Sequence, residues 1–387
     1  MIFGIVVGLR IIVPLFIPRF PLPAIIIAMI VDAADQTIFQ QYTSLNLDNY
    51  QSYDKALDIY YLAIAFLSTM RNWTNQIAFN TSRFLWYYRL IGTAAFEMTQ
   101  IRALLLIFPN TFEYFFDFYE AVRLRWDPRR LAKRVVIGAA AFIWIFIKLP
   151  QEYWIHIAQL DTTDLIKEDL FGVPVETSFS TIIADNVLFF VGIGLILAAL
   201  ILGLRYYGKY KLPSADWKLA FDADAHGRDV SQDQIDAQIS SMRGSFLTFE
   251  LLEKTLGFAL IMIIFTRIIP GTASSPLEQT VMIGIFLAAN TIVSELVLRR
   301  RKRNWGTTIG QFAGTMAINS LIVFAVRLAA PGDRSFHWAA ALFFVFLLSV
   351  LITFYDRYRP IYLARFGDDR VEKRAARRLG IPSESVR

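Results

Sequence analysis

Apolar residues fall in long runs along this chain, separated by short polar stretches. VLFFVGIGLILAALILG fills 187–203, and 341–353 is equally apolar. A helix that crosses a membrane needs about 20 mostly apolar residues. The runs predict helices at 2–17, 23–40, 54–72, 79–97, 100–120, 134–150, 179–204, 247–268, 279–298, 306–328 and 337–356. The expected fold is therefore an all-α, polytopic integral membrane helix bundle of about eleven transmembrane helices. The opening segment has the look of a signal sequence. Arg10 interrupts it, Pro14 and Pro18 bend it, and no small-residue cleavage site follows, so a retained first helix is expected. PRFPLP (18–23) suits a tight break between two helices, because proline starts helices and disfavours the one before it.

Charge sets the orientation. Arg123, Arg125, Arg129, Arg130, Lys133 and Arg134 crowd 123–134, RRRKR fills 299–303, and the tail from 357 is rich in arginine. Positive residues near span ends stay on the cytoplasmic side. Segment 151–178 carries Glu152, Asp161, Asp164, Glu168, Asp169 and Glu176 against Lys167, so it should face outward. The chain then divides into an N-terminal membrane bundle (1–150), an extracytoplasmic loop (151–178) and a single span (179–204). A cytoplasmic amphipathic linker (205–246), a C-terminal membrane bundle (247–356) and a basic cytoplasmic tail (357–387) follow. Ile235, Ile239 and Met242 recur at helical spacing in the linker, which predicts a surface helix. The C-terminus should lie in the cytoplasm and the protein in the plasma membrane.

Composition narrows the chemistry. Of 387 residues, 55% are hydrophobic and 19% charged, below the roughly 25% charged of soluble domains. Cysteine is absent, and the three histidines (His156, His226, His337) are far apart, so Cys-ligated metals and a His-built zinc site are excluded. No phosphate-loop, nucleophile-elbow or zincin motif is present. The formal net charge of +6 reads as an orientation signal on the basic cytoplasmic edges, with contacts to anionic lipid, and not as a nucleic-acid surface. The bilayer is the expected partner.

The informative residues are ionisable groups inside apolar stretches, which are costly in a membrane and usually face a bundle interior or a wet path. In AIIIAMIVDAADQTIFQ, Asp32, Asp35 (or Gln36) and Gln40 share one helix face; in SYDKALDIYYLAIAF, Asp54 and Asp58 do the same, with Lys55 beside them. Arg83, Arg89, Glu97, Arg102, Glu113, Asp117 and Glu120 follow. Leu104–Phe108 before Pro109 and Asn110 predicts a broken helix, tolerated at membrane depth only where it is buried or lines a cavity. Placement at span ends accounts equally well for Glu97, Arg102, Glu113, Asp117 and Glu120. It accounts less well for Asp32 and Asp35, which follow an eight-residue apolar run. The ion- or substrate-binding candidates are Asp32, Asp35, Gln36, Asp54, Asp58, Arg89, Glu97 and Arg102. Asp32, Asp35 and Asp58 are expected to face the bundle interior near Arg89 or Arg102.

The four aspartates resemble the pattern of membrane CDP-alcohol phosphotransferases, D-x-x-D-G-x-x-A-R-x8-G-x-x-x-D-x-x-x-D on two neighbouring helices. Here Asp32 and Asp35 match the first pair and Asp54 and Asp58 the second, with the separation one residue longer. Gln36, Phe39, Gln40 and Tyr50 replace the family's Gly, Ala, Arg and second Gly. The resemblance implies that Asp32, Asp35 and Asp54 hold Mg²⁺ or Mn²⁺ and that Asp58 is the catalytic base. Hard carboxylate oxygens suit those ions, which in turn clamp a diphosphate.

Three functions are therefore open: a transporter or channel that moves a cation, proton or small charged solute along an acid-lined path; a divalent-metal-dependent lipid-phosphate transferase; and a membrane scaffold with no small-molecule chemistry.

Overall fold

The computed structural model describes residues 2–42, 50–160, 165–225, 227, 229–242, 249–268, 283–292, 305–329 and 337–367. It is all-helical, with no strand among the described residues. The helices are α1 (Ile2–Ile12), α2 (Pro21–Tyr42), α3 (Tyr50–Asn72), α4 (Gln76–Thr99), α5 (Ala103–Ile107) and α6 (Thr111–Arg123). They continue as α7 (Lys133–Ile157), α8 (Phe179–Asp185), α9 (Val187–Tyr210), α10 (Gln232–Met242), α11 (Phe249–Ile268), α12 (Ile283–Ile292), α13 (Trp305–Ala329) and α14 (Trp338–Phe366).

Local chemistry sets the breaks. Pro14 turns the end of α1 into a short 3₁₀ segment, Val13–Phe16, and Pro21 opens α2. Asn75 caps α4, its side-chain oxygen accepting from the backbone N–H groups of Ile77 and Ala78. At the other end Gln100 takes a left-handed conformation (φ 59°) and closes the helix. Pro109 separates α5 from α6, as expected. Gly92 on α4 admits this break: a Cβ there would lie 2.1 Å from the Cβ of Phe108.

Four described helices are long and apolar enough to cross a membrane: α7, α9, residues Thr308–Leu328 of α13, and α14. This corrects the expectation of eleven. Segment 100–120 is two short helices, because Pro109 lacks the N–H that would continue α5. Helix α3 carries Asp54, Lys55, Asp58 and Arg71 along its length. The stretch Ile2–Phe16 is shorter, and of the expected span 279–298 only Ile283–Ile292 lies within the described residues. Helix α7 runs past the expected end at 150, because π-helical turns at Ile143–Lys148 and Tyr153–Ile157 flank Pro150 and absorb its missing donor. Glu152 and His156, read as loop residues, are therefore helical.

One hydrophobic core draws on α2, α3, α4, α6, α7, α11, α12 and α14. Its densest part is aromatic: Trp73 stacks on Tyr119 with ring centroids 3.8 Å apart, and Phe66 stacks on Trp86 at 5.7 Å. Helix α14 lies along α3, and α11 along α4. By contrast, α9 has no buried residue.

The segment after α9 folds back over one end of the bundle. Arg71 and Arg19 reach Asp224, Arg130 reaches Asp216, and Arg365 pairs with Asp229 while donating to the backbone oxygens of Met70, Arg71 and Trp73. The expected linker helix forms as α10, and Ile235 and Ile239 pack against Ile361 and Ala364 of α14.

Candidate functional site

The opposite end holds the aspartates. Helices α2 and α3 are joined near this end, so Asp32 and Asp35, in the second half of α2, meet Asp54 and Asp58, in the first turns of α3. Helix α1 supplies the group between them. Arg10 is 3% exposed. Its Nη1 donates to Asp35 Oδ2 and Asp54 Oδ1, and its Nη2 donates to Asp32 Oδ1 and to Asp58 Oδ1, the last at 2.5 Å. Four carboxylates thus surround one guanidinium. A planar, permanently charged fork is suited to this task, because it directs separate N–H groups at separate oxygens.

The charges in the cluster do not balance. Among the described side chains, four carboxylates against one guanidinium leave a formal surplus of three negative charges. Asp35 is buried, whereas Asp32, Asp54 and Asp58 are half-buried. One carboxylate oxygen from each of Asp32, Asp54 and Asp58 lies within 4.8 Å of the other two, close enough to share a metal ion. This trio includes Asp58 in place of Asp35, so it differs from the metal set that the resemblance implied.

The remaining predicted site residues lie elsewhere. Arg89 and Arg102 do not join the aspartates; Arg10 takes the place expected of them. Arg89 donates to the Phe108 carbonyl at 3.1 Å and lies 3.8 Å from Glu152. Arg102 is exposed at the start of α5. Glu97 pairs with Lys55 at 3.1 Å. The side chain of Gln36 falls outside the described residues.

A second buried polar cluster sits at the break between α5 and α6. Glu113 accepts from Tyr61 of α3, from Asn110 Nδ2 at 3.1 Å and from Lys148 of α7 at 3.2 Å. Glu152, one turn along α7, accepts from the Asn110 backbone N–H at 2.9 Å and contacts His156 Nε2 at 3.0 Å. Further along α6, Glu120 accepts from Trp73 Nε1 at 2.7 Å and pairs with Arg123. Glu113 and Glu120 were visible in the sequence as acids in apolar surroundings. Tyr61 and Lys148 were not singled out, and Glu152 was read only as an acid of an outward-facing loop. A third polar seam crosses the C-terminal helices: Lys254 pairs with Asp356 at 2.7 Å, and Asn290 donates to Asn319, which donates to Ser349.

No protein-family model, curated protein or solved structure matches the chain.

Proposed function

We propose that the chain is an integral membrane protein that moves protons or cations through the aspartate site of α1, α2 and α3. One observation carries the proposal: four carboxylates from two helices converge on Arg10 and outnumber it. Carboxylates crowded on one guanidinium repel one another, and a proton or a mobile cation among them offsets that repulsion. A cluster of four is best explained by a mobile cation that spends time among them. The cytoplasmic side is the arginine-rich end closed by Arg71, Arg130 and Arg365, whose outer surface meets anionic lipid headgroups. The C-terminal tail lies on that side, and the plasma membrane is the proposed location.

A second reading has its own support. The D-x-x-D and D-x-x-x-D pairs face each other, as the resemblance to CDP-alcohol phosphotransferases requires. In that reading the aspartates hold Mg²⁺ or Mn²⁺, and Asp58, which belongs to the close trio, serves as ligand or base. Asp32, Asp54 and Asp58, whose oxygens lie within 4.8 Å of one another, would serve as the hard oxygen ligands.

Two measurements on purified protein separate the readings. Flux in liposomes that is lost in Asp32→Asn and Asp35→Asn, without any divalent requirement, supports transport. Thermal stabilisation by Mg²⁺ or Mn²⁺ that the same variants lose, with no flux, supports the transferase. Variants that match the wild type in both assays leave the scaffold reading.

A further inference from the structure

The aspartate site is linked to a half-buried histidine by an almost continuous line of buried polar groups. Tyr61 lies one turn beyond Asp58 on the same face of α3. Its hydroxyl donates to Glu113. Asn110 then bridges two carboxylates, giving its side-chain N–H to Glu113 at 3.1 Å and its backbone N–H to Glu152 at 2.9 Å. Glu152 Oε2 lies 3.0 Å from His156 Nε2, and the His156 side chain is 25% exposed. No direct hydrogen bond joins Asp58 to Tyr61, and a gap separates Glu113 from Glu152, since an amide N–H holds the two acids near each other but does not pass a proton on.

The gap is where the described structure has unmet hydrogen-bonding capacity. Asn110 Oδ1, Thr111 Oγ1 and Gln151 Oε1 are all buried without a partner, and Thr111 is 1% exposed. Two of them flank the α5–α6 break, and the third is the neighbour of Glu152. Buried polar oxygens with no partner are costly, and internal water is their usual remedy. A helix break beside a π-helical turn is also an arrangement that recurs at functional sites in membranes.

We propose that this line is a proton relay between the aspartate site and the His156 surface, with water bridging Glu113 and Glu152. The inference rests on the transport reading and names the proton as the species that reaches the site. In the orientation seen, the Tyr61 hydroxyl gives its proton to Glu113 while the Tyr61 oxygen takes one from a hydronium on the aspartate side. Glu113 becomes a neutral acid, Tyr61 stays neutral and a water molecule is left behind. Glu113 then passes a proton through water to Glu152, and Glu152 passes one to His156, which releases it. Uptake runs the same steps in reverse after the Tyr61 hydroxyl turns. The charged and titratable groups around the line are Lys148, Tyr114 and Asp117 at Glu113, and Arg89 and Tyr88 beside the break. Lys148 and Arg89 offset the two glutamates, so a proton can cross without leaving either acid isolated.

The experiment uses the full chain in liposomes loaded with a pH-sensitive dye, with thermal melting in detergent as the folding check. Tyr61→Phe keeps the packing and removes the hydroxyl; Glu113→Gln keeps the shape and removes the proton carrier. Tyr61→Phe is expected to melt like the wild type, and Glu113→Gln, which leaves buried Lys148 without its carboxylate, to melt lower but still fold; both are expected to lower proton flux about tenfold or more, the scale of a lost proton-transfer group. Wild-type flux that is lost in Asp32→Asn yet kept in folded Tyr61→Phe and Glu113→Gln overturns the relay and leaves the transport reading standing. Wild-type flux no greater than that of protein-free liposomes overturns the transport reading, and the relay with it.

Discussion

Arg10 is the residue on which the site depends. Deleting one partner of a buried ionic cluster is far costlier than replacing the whole cluster, because the remaining charges lose their compensation. Arg10→Met keeps much of the side-chain volume and leaves four carboxylates facing one another. It is expected to destabilise the protein by about 3–5 kcal/mol, seen as a large fall in melting temperature in detergent. If the aspartates hold divalent cations, millimolar Mg²⁺ or Mn²⁺ should restore part of that loss. An unchanged melting temperature without metal would mean that Arg10 is not the counter-ion of the cluster. A milder test lies at the arginine-rich end. Hydrogen bonds from Arg129 hold the Asp127 carboxyl below its ordinary value, and Asp127 also caps the turn at Pro128. A lowered folded value means that this contribution is intact at neutral pH. It is lost as pH falls below the ordinary value of about 3.9 and through the depressed one. Asp127→Asn should flatten the acid limb of the stability curve in that window and change little at pH 7.

At the scale of elements, the α5–α6 break organises the second polar cluster, and Gly92 lets it approach α4. Gly92→Ala places a Cβ against the Phe108 side chain. Overpacking of this kind typically costs about 1–3 kcal/mol. The expected result is a lower melting temperature with a displaced break, and therefore weakened proton flux if the relay operates. A stability equal to the wild type would show that the break moves freely. The sequence made the break legible, because a proline after a five-residue apolar run is a local signal. It also made Asp32, Asp35, Asp54 and Asp58 legible, because charge inside apolar runs is rare. Their partner was not legible: Arg10 lies 22 to 48 residues from them, and which of several arginines meets them is a matter of tertiary packing. Glu152 and His156 were misplaced for a different reason. Pro150 and the acids beyond it read as the start of a loop, whereas π-helical turns carry α7 through the proline. The number of spans was overcounted because apolar runs of the same length can either cross a membrane or pack as broken, charge-bearing helices within the bundle.

For the whole molecule, the two ends of the bundle differ in chemistry, and that difference carries the orientation. One end gathers Arg19, Arg71, Arg123, Arg129, Arg130 and Arg365, together with the segment after α9 that folds over it. The other end holds the aspartate cluster, and α7 runs on past Glu152 to His156. In the proposed orientation, the bias of Arg and Lys toward the cytoplasm puts Lys218 inside and Gln159 outside. Because the chain contains no cysteine, a single introduced thiol reports its side without background. Gln159 and Lys218 are both exposed and lie beyond the apolar parts of α7 and α9. A membrane-impermeant maleimide is expected to label Gln159→Cys in intact cells, and Lys218→Cys only after the membrane is opened. The same experiment fixes where the proposed relay leads, since His156 lies three residues before Gln159. Labelling in the reverse pattern would turn the molecule over and place the His156 surface in the cytoplasm, so that the aspartates would exchange protons with the cell interior. Labelling of both sites in intact cells would be incompatible with the two ends lying on opposite sides of a membrane.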